Sequence, residues 1–256
     1  MAAANGTPFL WQFRASHYNE KVRWALDWKG IRYERRSLLP GPHVPIVLWL
    51  TGQKSVPVLR LGDETIADST RIIAALEARY PERPLYPTEP EARRRALELE
   101  EWFDDAIGPH VRRCLFHAAL DQTDFILGLF AVDASPTAQA VYRAAFPLIR
   151  TVMRADMTIT DDGAARSLTK LDAAFDRLER EIRPSGHLVG DAFTVADLTA
   201  AALLTPLTFP PEYPYAPPPL PERVQKLQAR YAARPGFAWA RDIYRRHRGR
   251  STGVDV

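Results

Sequence analysis

Lys54-Ser55-Val56-Pro57-Val58-Leu59-Arg60-Leu61-Gly62-Asp63-Glu64-Thr65-Ile66-Ala67-Asp68-Ser69-Thr70 is the stretch whose reading decides the fold of the first third of this chain. Two short apolar runs, Val56 to Leu61 and Thr65 to Ala67, flank a tight-turn composition, so they read as an antiparallel hairpin. From Ser69 to Tyr80, Ile72, Ile73, Leu76 and Tyr80 recur at helical spacing, and Pro81 stops the helix. Pro57 at a strand entry removes a ladder donor, and the Val56–Pro57 peptide is expected to be cis.

Upstream, Phe9 to Phe13 reads as a short buried strand. Val22, Trp24, Ala25, Leu26 and Trp28 then mark a helix from Tyr18 to Lys29, closed by Gly30, and Ile31 to Arg36 alternates as a second strand. Strand, helix and strand make one βαβ unit with parallel strands. Pro40 to Pro45 reads as a loop and Ile46 to Leu50 as a short apolar segment. The order βαβ then ββα is the α/β thioredoxin-like arrangement.

Downstream, Pro81 to Pro90 is a proline-punctuated linker. Beyond it strand signals nearly vanish. Glu91 to Ala118 reads as one long helix with a bend at Gly108-Pro109, and further helices are expected over 136–157, 163–182, 194–206, 221–233 and 236–247. Phe209 to Pro221, dense in proline, reads as a rigid surface connection. The expected organisation is a thioredoxin-like domain over 1–80, a linker over 81–90 and an all-α helical-bundle C-terminal domain over 91–256.

The bulk numbers narrow the function classes. The 256 residues are 46% apolar and 25% charged with a net charge of +3, an ordinary globular balance. The basic run Tyr244 to Arg250 reads as a helix end whose cations complement the dipole, and no nucleic-acid motif accompanies it. Met1 to Pro8 has no basic region followed by an apolar core, so no signal peptide is expected. No apolar run approaches the roughly 18 residues that span a bilayer. Cys114 is the single cysteine, which rules out an intrachain disulfide and any CxxC dithiol mechanism, and suits the cytoplasm. It reads as an inert buried thiol.

Three short segments carry the chemistry. Arg14 to Arg23 is a strand-to-helix turn. Ser16 there either caps the helix or presents a hydroxyl to an anion, since a helix N-terminus concentrates free N–H groups and positive partial charge. A hydroxyl donating to a thiolate stabilises the charged form and lowers the thiol pKa. Tyr18 is the competing hydroxyl, and His17 is expected to face solvent. In the second segment, the bend at Val56-Pro57 turns the Val56 N–H and C=O outward, where an extended peptide could pair with them. In the third, Asp68 and Ser69 open a helix: they suit an ammonium and a carboxylate respectively, or serve as an N-cap pair.

In order and spacing these segments resemble the glutathione transferase superfamily. The resemblance spans the N-terminal domain and continues more weakly at Leu188 to Asp197, which looks like the family's helix-capping motif; Thr194 and Asp197 there have a structural role. The resemblance implies that glutathione is the co-substrate, that Ser16 is the catalytic thiolate-activating residue, and that Lys54, Val56, Pro57, Asp68 and Ser69 bind glutathione. Lys54 would meet its glycine carboxylate, and Asp68 with Ser69 its γ-glutamyl end. No metal is expected. The implied function is a cytoplasmic, homodimeric detoxification enzyme that conjugates the thiolate to a small electrophilic apolar substrate, with no nucleic-acid or membrane partner. His17 departs from the proline common at its place, and the helical domain is longer than expected, which feeds an alternative: a non-catalytic binding or scaffold protein of the same fold. The second substrate would sit between the domains, with Trp102, Phe103, His110 and Phe116 as candidate linings, and Phe125, Leu127, Leu129 and Phe130 as candidates to cover the cleft or an interface.

Overall fold

The computed structural model describes residues 6–256. The expectation about a leader, resting on Met1 to Pro8, falls mostly outside them. Strand β1 (Phe9–Gln12), helix α1 (His17–Trp28) and strand β2 (Tyr33–Ser37) form the expected βαβ unit, with β1 and β2 parallel in the register Phe9 to Glu34. Helix α2 (His43–Thr51) follows, then the hairpin β3 (Val58–Leu61) and β4 (Glu64–Ala67), and helix α3 (Ser69–Arg79). Here the expectation of a bare apolar segment at Ile46 to Leu50 is corrected. Those residues lie in α2, which leaves Ile46, Leu48 and Trp49 exposed and so shows no amphipathic period.

The long helix after the linker is two, α4 (Pro90–Ala106) and α5 (Gly108–Ala119), broken at Ile107 ahead of Pro109. Then come α6 (Thr123–Phe130), α7 (Pro136–Asp156), α8 (Asp161–Glu181), α9 (Val195–Leu203), the short α10 (Thr205–Thr208), α11 (Glu222–Ala232) and α12 (Pro235–His247). Asp197 closes the start of α9 by accepting the Thr194 N–H at 2.9 Å and the Leu188 N–H at 2.8 Å. The chain ends in a strand the sequence did not announce, β5 (Gly253–Asp255), parallel to β2, so the sheet runs β4-β3-β1-β2-β5. Asp255 receives two hydrogen bonds from Arg35, at 2.8 and 2.9 Å, which fastens this strand to the sheet.

One apolar core runs through both halves. Trp24 is fully buried, with its ring 4.4 Å from Tyr244 and 5.6 Å from Phe193, so α1 is held between the sheet and the terminal helices. Charged groups at that seam are paired. Arg248, from the basic run, bonds Glu20 at 2.5 Å and contacts Asp27 at 2.9 Å, with all three buried. Lys21 reaches Glu100 at 2.8 Å, Asp104 at 2.6 Å and the Thr70 hydroxyl at 2.9 Å, locking α1 and α3 to α4. Burial leaves the Glu100 carboxyl above its ordinary pKa despite the adjacent ammonium. Removing one partner of such a cluster strands a buried charge and costs about 3–5 kcal/mol.

The segment 209–221 is also more than a surface connection. The Tyr213 hydroxyl donates to the Arg14 carbonyl at 2.6 Å, and Tyr215 is buried beneath the Arg14 guanidinium, 4.2 Å from its ring centre. Between the prolines, two aromatic residues anchor the segment to the first turn of the site, Tyr213 by its hydrogen bond and Tyr215 by cation–π contact.

Candidate active site

The register of the sheet brings the three segments together. Trp11 of β1 lies opposite Val58 of β3, and Val58 opposite Ala67 of β4, so the three form one row across the sheet. The chain leaving β1 reaches Ser16, the chain entering β3 passes Val56-Pro57, and the chain leaving β4 reaches Asp68 and Ser69. All three turns therefore share one end of the sheet.

Ser16 is the N-cap of α1, with extended backbone (φ −91°, ψ 126°), and its Oγ accepts the Asn19 N–H at 3.4 Å. That long bond uses a lone pair and leaves the hydroxyl proton free to donate. Capping and donation to a thiolate are thus compatible at this residue. Tyr18 is differently placed: its hydroxyl donates to the Asp104 carbonyl at 2.7 Å, and burial raises its pKa.

His17 does not face solvent. It is buried, and its Nε2 lies 3.0 Å from the Gly108 carbonyl oxygen; since a carbonyl only accepts, Nε2 carries the proton. Burial, helped by the Arg112 cation, lowers the imidazole pKa to about 3. The physical reason for the difference is that α5 packs on the first turn of α1 from the helical half, which turn periodicity within one segment does not reveal.

The Val56–Pro57 peptide is cis. Val56 is half-buried and precedes β3, and its N–H and C=O make no backbone hydrogen bond among the described residues. Lys54 is exposed, and its ammonium pairs with Asp156 at the end of α7. Its carbonyl accepts from His43 Nε2 at 3.0 Å. Asp68 has φ +80° and caps α3, with Oδ1 accepting the Thr70 and Arg71 N–H groups at 3.0 and 3.1 Å, and Ser69 behind it is buried.

The sequence missed how α6 and α7 close over this region. Phe125, Leu127, Leu129 and Phe130 are buried in a second core with Leu115, Phe116 and Phe146, against which Phe13 and Ala15 pack. Asp133 pairs with Arg14, and Tyr142 donates to the Pro40 carbonyl at 3.0 Å. Of the other candidate linings, Phe103 is core, Phe116 belongs to the second core, and His110 meets the Ser167 hydroxyl at 3.2 Å. Cys114 is buried and its thiol is pushed up to about 11. Among the described residues no three His, Cys, Asp or Glu side chains group as a metal site requires, and no helix is long and apolar enough to cross a membrane.

A mixed thioredoxin-like sheet with a helical second half defines the class of fold, a thioredoxin-like domain joined to a helical domain. Residues 10–84 match the glutathione S-transferase N-terminal domain and residues 161–243 the glutathione S-transferase C-terminal domain, together more than half of the chain. The chain belongs to the glutathione transferase superfamily. It is 41% identical over 94 residues to glutathione S-transferase 1 of Dianthus caryophyllus, a match covering 36% of this chain and 42% of that one. A glutathione S-transferase of Triticum aestivum is 30% identical over 106 residues, 41% of this chain and 49% of that one. The chain thus spans less than half the length of these curated relatives. Human glutathione transferase theta-2, solved with glutathione, superimposes with a TM-score of 0.65 at 21% identity, over 94% of this chain and 82% of that one; this likeness is one of fold.

Proposed function

We propose that the protein is a glutathione transferase that joins the glutathione thiolate to a small electrophilic, largely apolar substrate. The reading is carried by the single row Trp11–Val58–Ala67, which gathers three turns of matching chemistry at one end of the sheet. Glutathione lies along that end as a short extended peptide. Its cysteine backbone pairs with Val56 beside Pro57, its γ-glutamyl carboxylate meets Ser69 and the α3 N-terminus, its ammonium meets Asp68, and its glycine carboxylate meets Lys54.

Ser16 acts on the sulfur. Its free hydroxyl proton and the α1 N–H groups favour the thiolate, so more of the thiol is ionised near neutral pH. The sulfur attacks an electrophilic carbon, a C–S bond forms, and the leaving group departs with its electron pair while the thiol proton passes to solvent. Holding both reactants in one cleft supplies the remaining advantage. A cytoplasmic homodimer, the arrangement that the family resemblance implies, is part of the proposal, and light scattering tests the dimer.

The direct test is a calorimetric titration of the protein with glutathione. Saturable binding in the millimolar range or tighter supports the reading, and conjugation is then assayed with 1-chloro-2,4-dinitrobenzene. No heat at millimolar glutathione overturns it and leaves the fold as a scaffold.

A further inference from the structure

Arg112 is a half-buried cation without a counterion among the described residues. Lys21, Arg23, Arg35 and Arg248 are more deeply buried, and each has a carboxylate partner. Arg112 forms no ion pair among the described residues, and its Nε is shielded from solvent with no hydrogen-bond partner. Its neighbour Arg113 is satisfied, with Nε donating to the Met157 carbonyl at 2.8 Å and a second nitrogen to the Ser167 hydroxyl at 2.7 Å. Helix α5 holds no Asp or Glu, so no acid three or four residues away can serve Arg112.

Its position points to the site. Gly108, Arg112 and Leu115 share one face of α5 at helical spacing. Gly108 touches the first turn of α1, accepting from His17 and packing against Tyr18. Leu115 lines a small cavity with Arg14 and Ala15, the residues just before Ser16. Arg112 therefore lies between two contacts with the turn that carries Ser16, and its charge acts on His17 and Tyr18 in that turn. Asp156, an acid whose charge acts on Arg112, is paired with Lys54. Burial lowers the Arg112 pKa, as it must for a cation short of partners.

On the proposed function the glutathione carboxylates lie elsewhere, one at Ser69 and the other at Lys54. On that reading an anion for the Arg112 guanidinium comes with the second substrate. We propose that the electrophile carries a carboxylate, held by the Arg112 guanidinium beside the Ser16 turn, with its apolar body against Ala15 and Leu115. The guanidinium fork takes a carboxylate through two parallel N–H donors, which a lysine or a neutral residue cannot reproduce. This inference rests on the glutathione transferase reading of the site.

The test compares binding of two product analogues by calorimetry, S-(4-carboxybenzyl)glutathione and its benzoate methyl ester, alongside glutathione itself. They differ in the charge offered to Arg112 and by one methyl group, whose effect the Arg112→Met comparison cancels. The wild type is expected to bind the acid roughly 10- to 100-fold more tightly than the ester. In Arg112→Met that ratio collapses toward one, and Arg112→Lys recovers part of it. Equal affinity in the wild type, or an unchanged ratio in Arg112→Met, overturns the inference while glutathione binding keeps the functional reading standing. If glutathione does not bind, the functional reading falls and this inference with it. Folding does not confound the result, because each protein is its own reference.

Discussion

His17 Nε2 donates to the Gly108 carbonyl oxygen across 3.0 Å, so the residue next to Ser16 is bonded to the first residue of α5 in the helical half. The imidazole is kept neutral by burial and by the Arg112 cation, not by this bond, and the bond makes the position of the Ser16 turn dependent on that of α5. Folded, His17 stays neutral down to pH about 3, whereas in the unfolded chain it takes up a proton near pH 6.5. Between those values the unfolded state binds more protons, so stability is lost as pH falls, by up to roughly 1.4 kcal/mol per pH unit. His17→Gln keeps a donor but cannot protonate. Urea titrations at pH 7 and pH 5 should show wild type losing about 2 kcal/mol more than the variant. Parallel losses in the two proteins would show that His17 does not titrate in this way.

Gly108 is held to glycine by space. A Cβ there would stand 1.9 Å from the Tyr18 hydroxyl oxygen and 2.4 Å from its ring carbon. Tyr18 cannot swing away freely, because its hydroxyl donates to Asp104. Gly108→Ala should destabilise the protein by about 2 kcal/mol or more, although alanine favours helix. The urea midpoint reads the loss, and Tyr18→Ala in the same chain should restore part of it. A variant as stable as wild type would mean that α5 shifts without cost.

Ser16→Ala separates the two uses of the hydroxyl. The cap bond at 3.4 Å is weak, so its loss should cost about 1 kcal/mol or less. The donor to the thiolate is worth more, because hydrogen bonds to charged groups contribute about 1.5–3 kcal/mol. Turnover should fall roughly 10- to 100-fold while the dissociation constant for glutathione changes about threefold or less. An ultraviolet titration of bound thiolate should show the thiol pKa rising. Equal losses in turnover and affinity would return Ser16 to a cap.

What the sequence discloses and what it hides divide along the range of the interactions. The hairpin around Gly62, the βαβ unit and the caps at Ser16, Asp68 and Thr194 are local turn chemistry, so their residues announce them. Helices α2 and α6 are short and apolar on most sides, so no period distinguishes them from loop or strand. Strand β5 has three residues; it exists because Asp255 pairs with Arg35 and because Gly253 lies where a Cβ would be 2.5 Å from the Tyr33 ring. The burial of His17 likewise depends on a helix about ninety residues away. The isolation of Arg112 was partly visible, since α5 has no acid.

Lys54 and Asp156 give the last test. The two side chains are about half exposed, and such a pair contributes about 0–1 kcal/mol. Asp156 is also the final residue of α7, where the helix dipole disfavours an acid, so helix stability does not explain its placement. What it does is occupy the ammonium proposed to hold the glycine carboxylate of glutathione. Two carboxylates then compete for one cation. Asp156→Asn should tighten glutathione binding up to about fivefold with little change in melting temperature, and Lys54→Ala should weaken it by a similar factor. In the double variant the Asp156 change should have no further effect, because the cation it contests is gone. Tighter binding that persists in the Lys54→Ala background would assign the effect of Asp156 to another cation on that wall, and Arg112 is the one left unpaired.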